Sequence, residues 1–276
     1  MRKFAVIGHP VGHSMSPCIH RLLFSFRNED ISYKAYDIAP EELEKNIPFL
    51  KTLDGFNITI PHKQAIIPFV NRLDKEAQRQ GSVNTVRGED FSGYTTDALG
   101  FSGSLGALSI PVSGSMLCLG YGGVARTVCH EILKQGGQVT IAARAESLSG
   151  ASALAKELTY LYNTPVNCID ITKITDSFDI LFNGTPVGMH PYPDAMPVDV
   201  SVLDRVSVVF DSIYNPEETM LLQAAREKGK LAVGGMSMLV RQAAAAHFVW
   251  DGVTYTEEQI EYVCRKAQEE MTREFR

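Results

Sequence analysis

Two residues stand where chemistry is called for. Lys63 follows an apolar run in GFNITIPHK, and Asp97 closes GYTTD. Pro61 stops the first run and starts the next helix, so Lys63 stands at the C-terminal mouth of a parallel-type strand, where open α/β sheets bind their ligands. Asp97 ends a turn and likewise begins a helix. On neighbouring strand ends the two would form a coupled pair, in which the carboxylate orients the ammonium and a buried amine titrates nearer neutrality. The same spacing fits an ordinary ion pair with Asp97 as a helix cap, and spacing leaves both readings open.

A second signal is Gly120-Tyr121-Gly122-Gly123-Val124-Ala125, which follows a strand and opens a helix. It fits G-x-G-x-x-G/A with alanine in the third slot. Glycines there permit the tight turn and let backbone N–H groups approach a pyrophosphate at the positive end of a helix, so the loop predicts dinucleotide binding. An NAD-binding protein normally places an acid at the end of the next strand, for the ribose 2′-hydroxyl. This chain has Arg144, whose guanidinium suits a 2′-phosphate and points to NADP(H). Arg144 also reads as a solvated strand-end charge, and nearby Glu146 could serve a ribose instead.

A third stretch is GHPVGHSMSPCIH, where Ser16 fits an N-cap and Pro17 the first helical position. Ser14, Ser16 and the helix-start N–H groups would make a seat for a small carboxylate, or Ser16 is a plain capping serine. His9, His13 and His20 invite a metal reading, but no cysteine or carboxylate stands at ligand spacing, and no metal is expected.

The elements that must position these residues alternate. KFAVIG, ISYKAYDI and GFNITI read as strands, with helices at Ser16 to Phe26, at Pro40 to Leu50 and from Pro61 onward. That alternation predicts a parallel-rich α/β layer structure. SVNTVRG and FSGYT follow, then a helix near Asp97 to Leu108, and IPVSGS breaks the pattern at a domain crossing. A βαβ unit comes next: SMLCLG, a helix from about Gly122 to Lys134, and QVTIAAR. Further strands are VNCID, DILFNG and VSVVFDSI, then a helix from about Pro216 to Lys228, a short LAVGG strand, a helix holding SMLVRQAAAAHFVW, and a last helix capped by Thr256.

The 276 residues suit about two domains, each with its own core. A net charge of −6 repels nucleic acid and anionic membrane surfaces, so an anionic ligand must be held by local donors. FAVI before Gly8 is too short for a signal-peptide core and no long apolar window exists, which predicts a cytoplasmic protein. Cys18, Cys118, Cys129, Cys168 and Cys264 have no CxxC spacing and read as reduced thiols.

Across nearly its whole length the chain resembles shikimate dehydrogenase. HSMSP, GFNITIPHK, GSVNT, GYTTD, GYGGVAR, NGTPVGM, DSIYNPEET and GGMSMLVRQ occur in that family's order. The resemblance implies NADP-linked interconversion of shikimate and 3-dehydroshikimate, on the path to chorismate and the aromatic amino acids. By the same resemblance Ser14 and Ser16 hold the substrate carboxylate, and Lys63, Asn84 and Asp97 bind the ring hydroxyls. Lys63 and Asp97 are then the catalytic pair, and Thr59, Tyr214 and Gln242 complete the pocket. Gly120, Gly122, Gly123, Val124, Ala125 and Arg144 would hold the dinucleotide, while Asn183, Thr185, Met189 and Gly235 lie along the nicotinamide side.

The implied architecture is a substrate domain of residues 1–102 completed by 237–276, and a Rossmann domain of about 103–236, with a cleft closing over the substrate. The protein is expected to be a monomer or a homodimer. Some positions depart from the family: Thr95, Arg21 after His20, Tyr121 and Val124. The family's Asn-Arg-Thr/Ser is Ala143-Arg144-Ala145 here, so two side chains that would help hold the 2′-phosphate are methyl groups. A paralogue acting on quinate or aminoshikimate with NAD is the first alternative, and a non-catalytic dinucleotide-binding module the second.

Overall fold

Strand β1 (Arg2–Gly8) is buried along its apolar run, as expected of a parallel strand covered on both faces. It belongs to a computed structural model that describes residues 1–12, 14–27 and 29–274. The chain divides into two units, 1–100 with 239–276, and 101–238.

In the first unit, β1 pairs in parallel with β2 (Ile31–Asp37) and β3 (Gly55–Ile58). β4 (Arg72–Leu73), β5 (Thr85–Arg87) and β6 (Ser92–Tyr94) complete a six-stranded sheet of order β2-β1-β3-β5-β6-β4. β5 runs antiparallel to both β3 and β6. The C-terminal ends of β3 and β6 and the N-terminal end of β5 therefore meet at one edge.

Helices α1 (Ser16–Ser25), α2 (Leu43–Leu50), α3 (His62–Ala65) and α4 (Lys75–Gln80) connect the strands. α1 starts one residue earlier than predicted. Met15 is the N-cap, Ser16 the first helical residue, and Ser14 Oγ accepts the Ser16 N–H at 3.2 Å. Pro61 is the N-cap of α3 rather than its first residue. α4 was not predicted; Asp74 caps it, accepting from Ala77 N at 2.9 Å.

The second unit opens within α5 (Asp97–Ala107). Its strands are β7 (Ser115–Leu119), β8 (Gln138–Ala143), β9 (Asn167–Asp170), β10 (Phe178–Asn183), β11 (Val206–Asp211) and β12 (Leu231–Val233). All pair in parallel, in the order β12-β11-β10-β7-β8-β9. This is the doubly wound order, and its direction reverses between β7 and β10, where such sheets bind dinucleotides.

α6 (Gly123–Lys134), α7 (Leu148–Tyr162) and α8 (Met220–Glu227) cover the sheet. α7 had no counterpart among the predicted elements. It opens on Leu148-Ser149-Gly150-Ala151, which reads as a loop, yet Ala151, Leu154, Ala155 and Leu158 form its buried stripe. α8 begins at Met220 because Thr219 Oγ1 caps it by accepting from Leu222 N at 3.2 Å.

α9 (Gly235–Asp251) leaves the second unit, and α10 (Glu257–Glu274) follows it. The predicted Thr256 cap is present as a capping box: Gln259 N donates to Thr256 Oγ1 at 3.3 Å, and Thr256 N to Gln259 Oε1 at 2.9 Å. The five cysteines are free thiols; Cys118 and Cys129 are buried, the others half-buried.

Candidate active site

In the first unit the strand directions bring together residues distant in sequence. Lys63 Nζ, beyond the end of β3, donates to Asp97 Oδ2 at 2.6 Å. Asn84, at the start of β5 between them, donates from Nδ2 to Asp97 Oδ1 at 2.8 Å. The Lys63 and Asp97 side chains are 29% and 16% exposed, so the pair is shielded yet reachable. Gln242 joins from α9, its Oε1 3.4 Å from Thr96 Oγ1 and 3.5 Å from Asn84 Nδ2. Thr59, half-buried, lies in the turn between β3 and α3, its N–H donating to Ile7 O at 2.9 Å. Ser14 and Ser16 are half-buried at the start of α1, and the Ser16 side chain lies beside the phenol of Tyr33.

Two of the histidines are tied up locally. His9 Nδ1 lies 2.6 Å from Asp37 Oδ1, and His20 Nδ1 lies 2.9 Å from His247 Nε2. His13 lies outside the described residues.

In the second unit the glycine loop joins β7 to α6. Gly120 has φ +89°, and a Cβ there would sit 2.9 Å from Thr185 Cγ2, so both the turn and the close approach call for glycine. Gly122 and Gly123 are exposed, and a Cβ on either would meet no atom within 4 Å. The protein's own packing does not require glycine there; a ligand lying against the backbone would. Val124 is half-buried, and Ala125 is fully buried beneath the loop. A cavity of about 410 Å³ opens here, lined by Gly120, Gly122, Ala143, Arg144, Ser147 and Thr185 among others. The glycine cradle, the start of α6 and a cation at the end of β8 fit a phosphorylated dinucleotide.

Arg144 is 71% exposed, and its Nε lies 3.3 Å from Glu146 Oε1. The two alternatives for this strand end therefore contact each other. Ser147, which sequence reasoning passed over, also lines the cavity; it is the first hydroxyl after the two alanines flanking Arg144.

Asn183 is fully buried, and its amide is occupied within the fold. Nδ2 donates to Asp211 Oδ1 at 3.0 Å, and Oδ1 accepts from Thr185 Oγ1 at 2.7 Å. Asp211, another residue not anticipated, also accepts from Thr219 Oγ1 at 2.7 Å and from Ile213 N at 3.1 Å. Burial pushes its pKa up to about 6 against these hydrogen bonds. Tyr214 is half-buried, which raises its phenol pKa. Met189 is 44% exposed, and Gly235 is buried at the first position of α9.

These buried groups give a signed pH dependence. Burial lowers the pKa of His247 to about 3 and that of His20 well below 6.5, so both bind protons only on unfolding as pH falls below 6.5. Stability from the two is complete above pH 6.5 and is lost as pH falls below it, toward pH 3 for His247. Asp211 acts oppositely: its raised pKa stabilises the fold as pH falls from about 6 toward 3.8. Each group contributes about 1.4 kcal/mol per pH unit, so the net expected loss is about 1.4 kcal/mol per unit between pH 6 and 5. Urea midpoints followed by circular dichroism at those two pH values measure it. Equal stability at both would mean that His20 or His247 takes up its proton inside the fold.

Residues 6–86 match the family model described as the shikimate dehydrogenase substrate binding domain. The chain is 37% identical over 275 residues to a shikimate dehydrogenase (NADP(+)) of Caldanaerobacter subterraneus, covering 97% of each chain. It superposes with a TM-score of 0.88 and 34% identity on a shikimate dehydrogenase crystallised with NADP+, covering 98% of this chain and 96% of that one. The Thermus thermophilus enzyme crystallised with NADP(H) and shikimate gives 0.87 and 32%, covering 97% of this chain and 100% of that one. The chain belongs to the shikimate dehydrogenase family.

Proposed function

We propose that the protein catalyses the NADP-dependent, reversible oxidation of shikimate to 3-dehydroshikimate in the cytoplasm. The observation that carries this reading is the Lys63–Asp97 contact at 2.6 Å, held from the other carboxylate oxygen by Asn84. In this reading residues 1–102 with 237–276 act as the substrate domain and 103–236 as the NADP domain. Ser14 and Ser16 seat the substrate carboxylate, while Thr59, Asn84, Tyr214 and Gln242 orient the ring.

Gly120, Gly122, Gly123, Val124 and Ala125 would hold the pyrophosphate, Arg144 the 2′-phosphate, and Thr185, Met189 and Gly235 the nicotinamide side. Asn183 acts through the loop it braces. The bound cofactor supplies or accepts a hydride at the ring carbon. Lys63, oriented by Asp97, takes the hydroxyl proton during oxidation and returns it during reduction. Holding amine, carboxylate and hydroxyl in one geometry lowers the entropic cost of that transfer.

Steady-state rates for shikimate and quinate, each with NADP and NAD, test the proposal. The highest kcat/KM is expected for shikimate with NADP, and a higher value for quinate with NAD would replace it. That second reading has its own support: Arg144 is partnered by Glu146, and Ala143 and Ala145 offer no hydroxyl or amide to a phosphate. Arg144→Ala is expected to raise KM for NADP(H) about tenfold, as loss of an exposed charge-assisted contact would, with kcat nearly unchanged. Initial rates over an NADP series measure it, and an unchanged KM would remove Arg144 from phosphate recognition.

A further inference from the structure

Behind the Lys63–Asp97 pair lies a buried chain of hydrogen bonds that the reaction as described does not use. It begins at Tyr33, whose phenol donates to Asn57 Oδ1 at 2.8 Å. Asn57 Nδ2 donates to Thr85 Oγ1 at 3.1 Å, and Thr85 Oγ1 to Asn84 Oδ1 at 3.0 Å. Asn84 Nδ2 then donates to Asp97 Oδ1 at 2.8 Å. Tyr33, Asn57, Thr85 and Asn84 are 7%, 5%, 0% and 3% exposed, so solvent does not substitute for a missing member.

Every donor in this chain faces the same way. Burial raises the Tyr33 pKa well above its ordinary 10, so the phenol stays protonated and donates. Because Asn57 offers an N–H to Thr85, the single hydroxyl hydrogen of Thr85 is left for Asn84 Oδ1. That bond, with the Thr96 N–H donating to the same oxygen at 2.9 Å, fixes the Asn84 amide with its NH2 toward Asp97. A flipped amide would set two donors against each other and turn an acceptor toward the carboxylate. With Asn84 on Oδ1, Oδ2 is the oxygen that meets Lys63 at 2.6 Å.

We infer that Thr85 is a positioning residue for the proton-transfer pair: polarised by Tyr33 and Asn57, it locks the Asn84 amide that orients Asp97 and, through it, Lys63. The inference rests on the reading of Lys63 and Asp97 given above. Neither Thr85 nor Asn57 is assigned a contact with substrate in that reading; both act through Asn84. A misdirected amide would degrade the geometry of the transfer and, because Asn84 also orients the ring, weaken substrate binding, so kcat falls further than KM for shikimate rises.

Thr85→Val, nearly isosteric, removes the hydroxyl and keeps the packing, and Thr85→Ser restores the hydroxyl. The valine variant is expected to lose about tenfold in kcat with KM for shikimate and NADP within about twofold, and the serine variant to recover most of the rate. Wild-type kcat in folded Thr85→Val, or a serine variant no better than the valine one, overturns the inference. Should the valine variant melt below the assay temperature, Tyr33→Phe carries the test: it cuts the first donor, with about a threefold expected loss in kcat, read apart from KM because the phenol also lies beside Ser16. Wild-type kcat in that variant would then overturn it. Lys63→Ala assayed alongside keeps the two failures apart, because full activity there sinks the pair itself, whereas a dead Lys63→Ala with an unimpaired Thr85→Val sinks the positioning role alone.

Discussion

Lys63→Ala should lower kcat by about 10²-fold or more while the protein still folds and melts cooperatively. The side chain is 29% exposed and its polar contact is the one to Asp97 at 2.6 Å, so its removal costs little packing. Asp97 keeps the hydrogen bond from Asn84 and partial access to water, which spares it the penalty of a stranded buried charge. The lost amine, in contrast, is the group proposed to carry the proton, and general acid–base contributions of this kind are worth about 10²–10⁴-fold.

Lys63→Arg separates proton handling from simple charge. A guanidinium can pair with Asp97 but stays protonated at any workable pH, so kcat should remain low although the ion pair is kept. Stopped-flow or steady-state rates with shikimate and NADP, beside a circular dichroism melt, are the measurements. A well-folded alanine variant with near wild-type kcat would end the assignment, and an active arginine variant would show that charge alone suffices.

The site was legible in the sequence where local signals mark strand ends. Pro61 after GFNITI and the Thr-Thr before Asp97 place both ionisable groups at strand mouths, and the glycine loop after SMLCLG announces itself by composition. What the sequence did not show was the geometry between segments. That Lys63 and Asp97 meet depends on β5 running antiparallel between β3 and β6, which delivers Asn84 to the same edge.

Capping assignments at Ser16 and Pro61 missed by one position because neighbouring hydroxyls and prolines offer equivalent local solutions, and tertiary contacts select among them. α7 was passed over because its N-terminal turn is rich in small residues and its stripe is half alanine. The buried roles of Asp211 and Thr85 had no local signature, since each depends on a partner in another strand, Asn183 for Asp211 and Asn57 for Thr85. The meeting of Arg144 with Glu146, two positions apart, turns on side-chain direction that spacing leaves undetermined.

Trp250→Ala is expected to cost about 3–5 kcal/mol of stability, a large share of the roughly 5–15 kcal/mol typical of a folded protein. Trp250, the single tryptophan, sits near the end of α9 and is 7% exposed. Its ring lies 4.7 Å from that of Phe4 on β1 and 5.4 Å from His20 on α1, and Nε1 donates to Val86 O on β5 at 2.9 Å. Gly55 on β3 makes the room: a Cβ there would stand 2.5 Å from Nε1.

The next residue, Asp251, pairs with both Arg2 and Arg27 at 2.6 Å, so the indole and the carboxylate together seat the end of α9 on the N-terminal sheet. Alanine would remove the ring, leave a cavity and strand the Val86 carbonyl, three losses that add at one place. Trp250→Phe keeps most of the apolar area and loses the N–H, and about 1–2 kcal/mol is expected for it. Urea titrations followed by far-ultraviolet circular dichroism, which does not depend on the indole, read both variants. A loss under about 1 kcal/mol in Trp250→Ala would mean that the C-terminal helices contribute little to the first unit, and that residues 1–100 hold their fold without them.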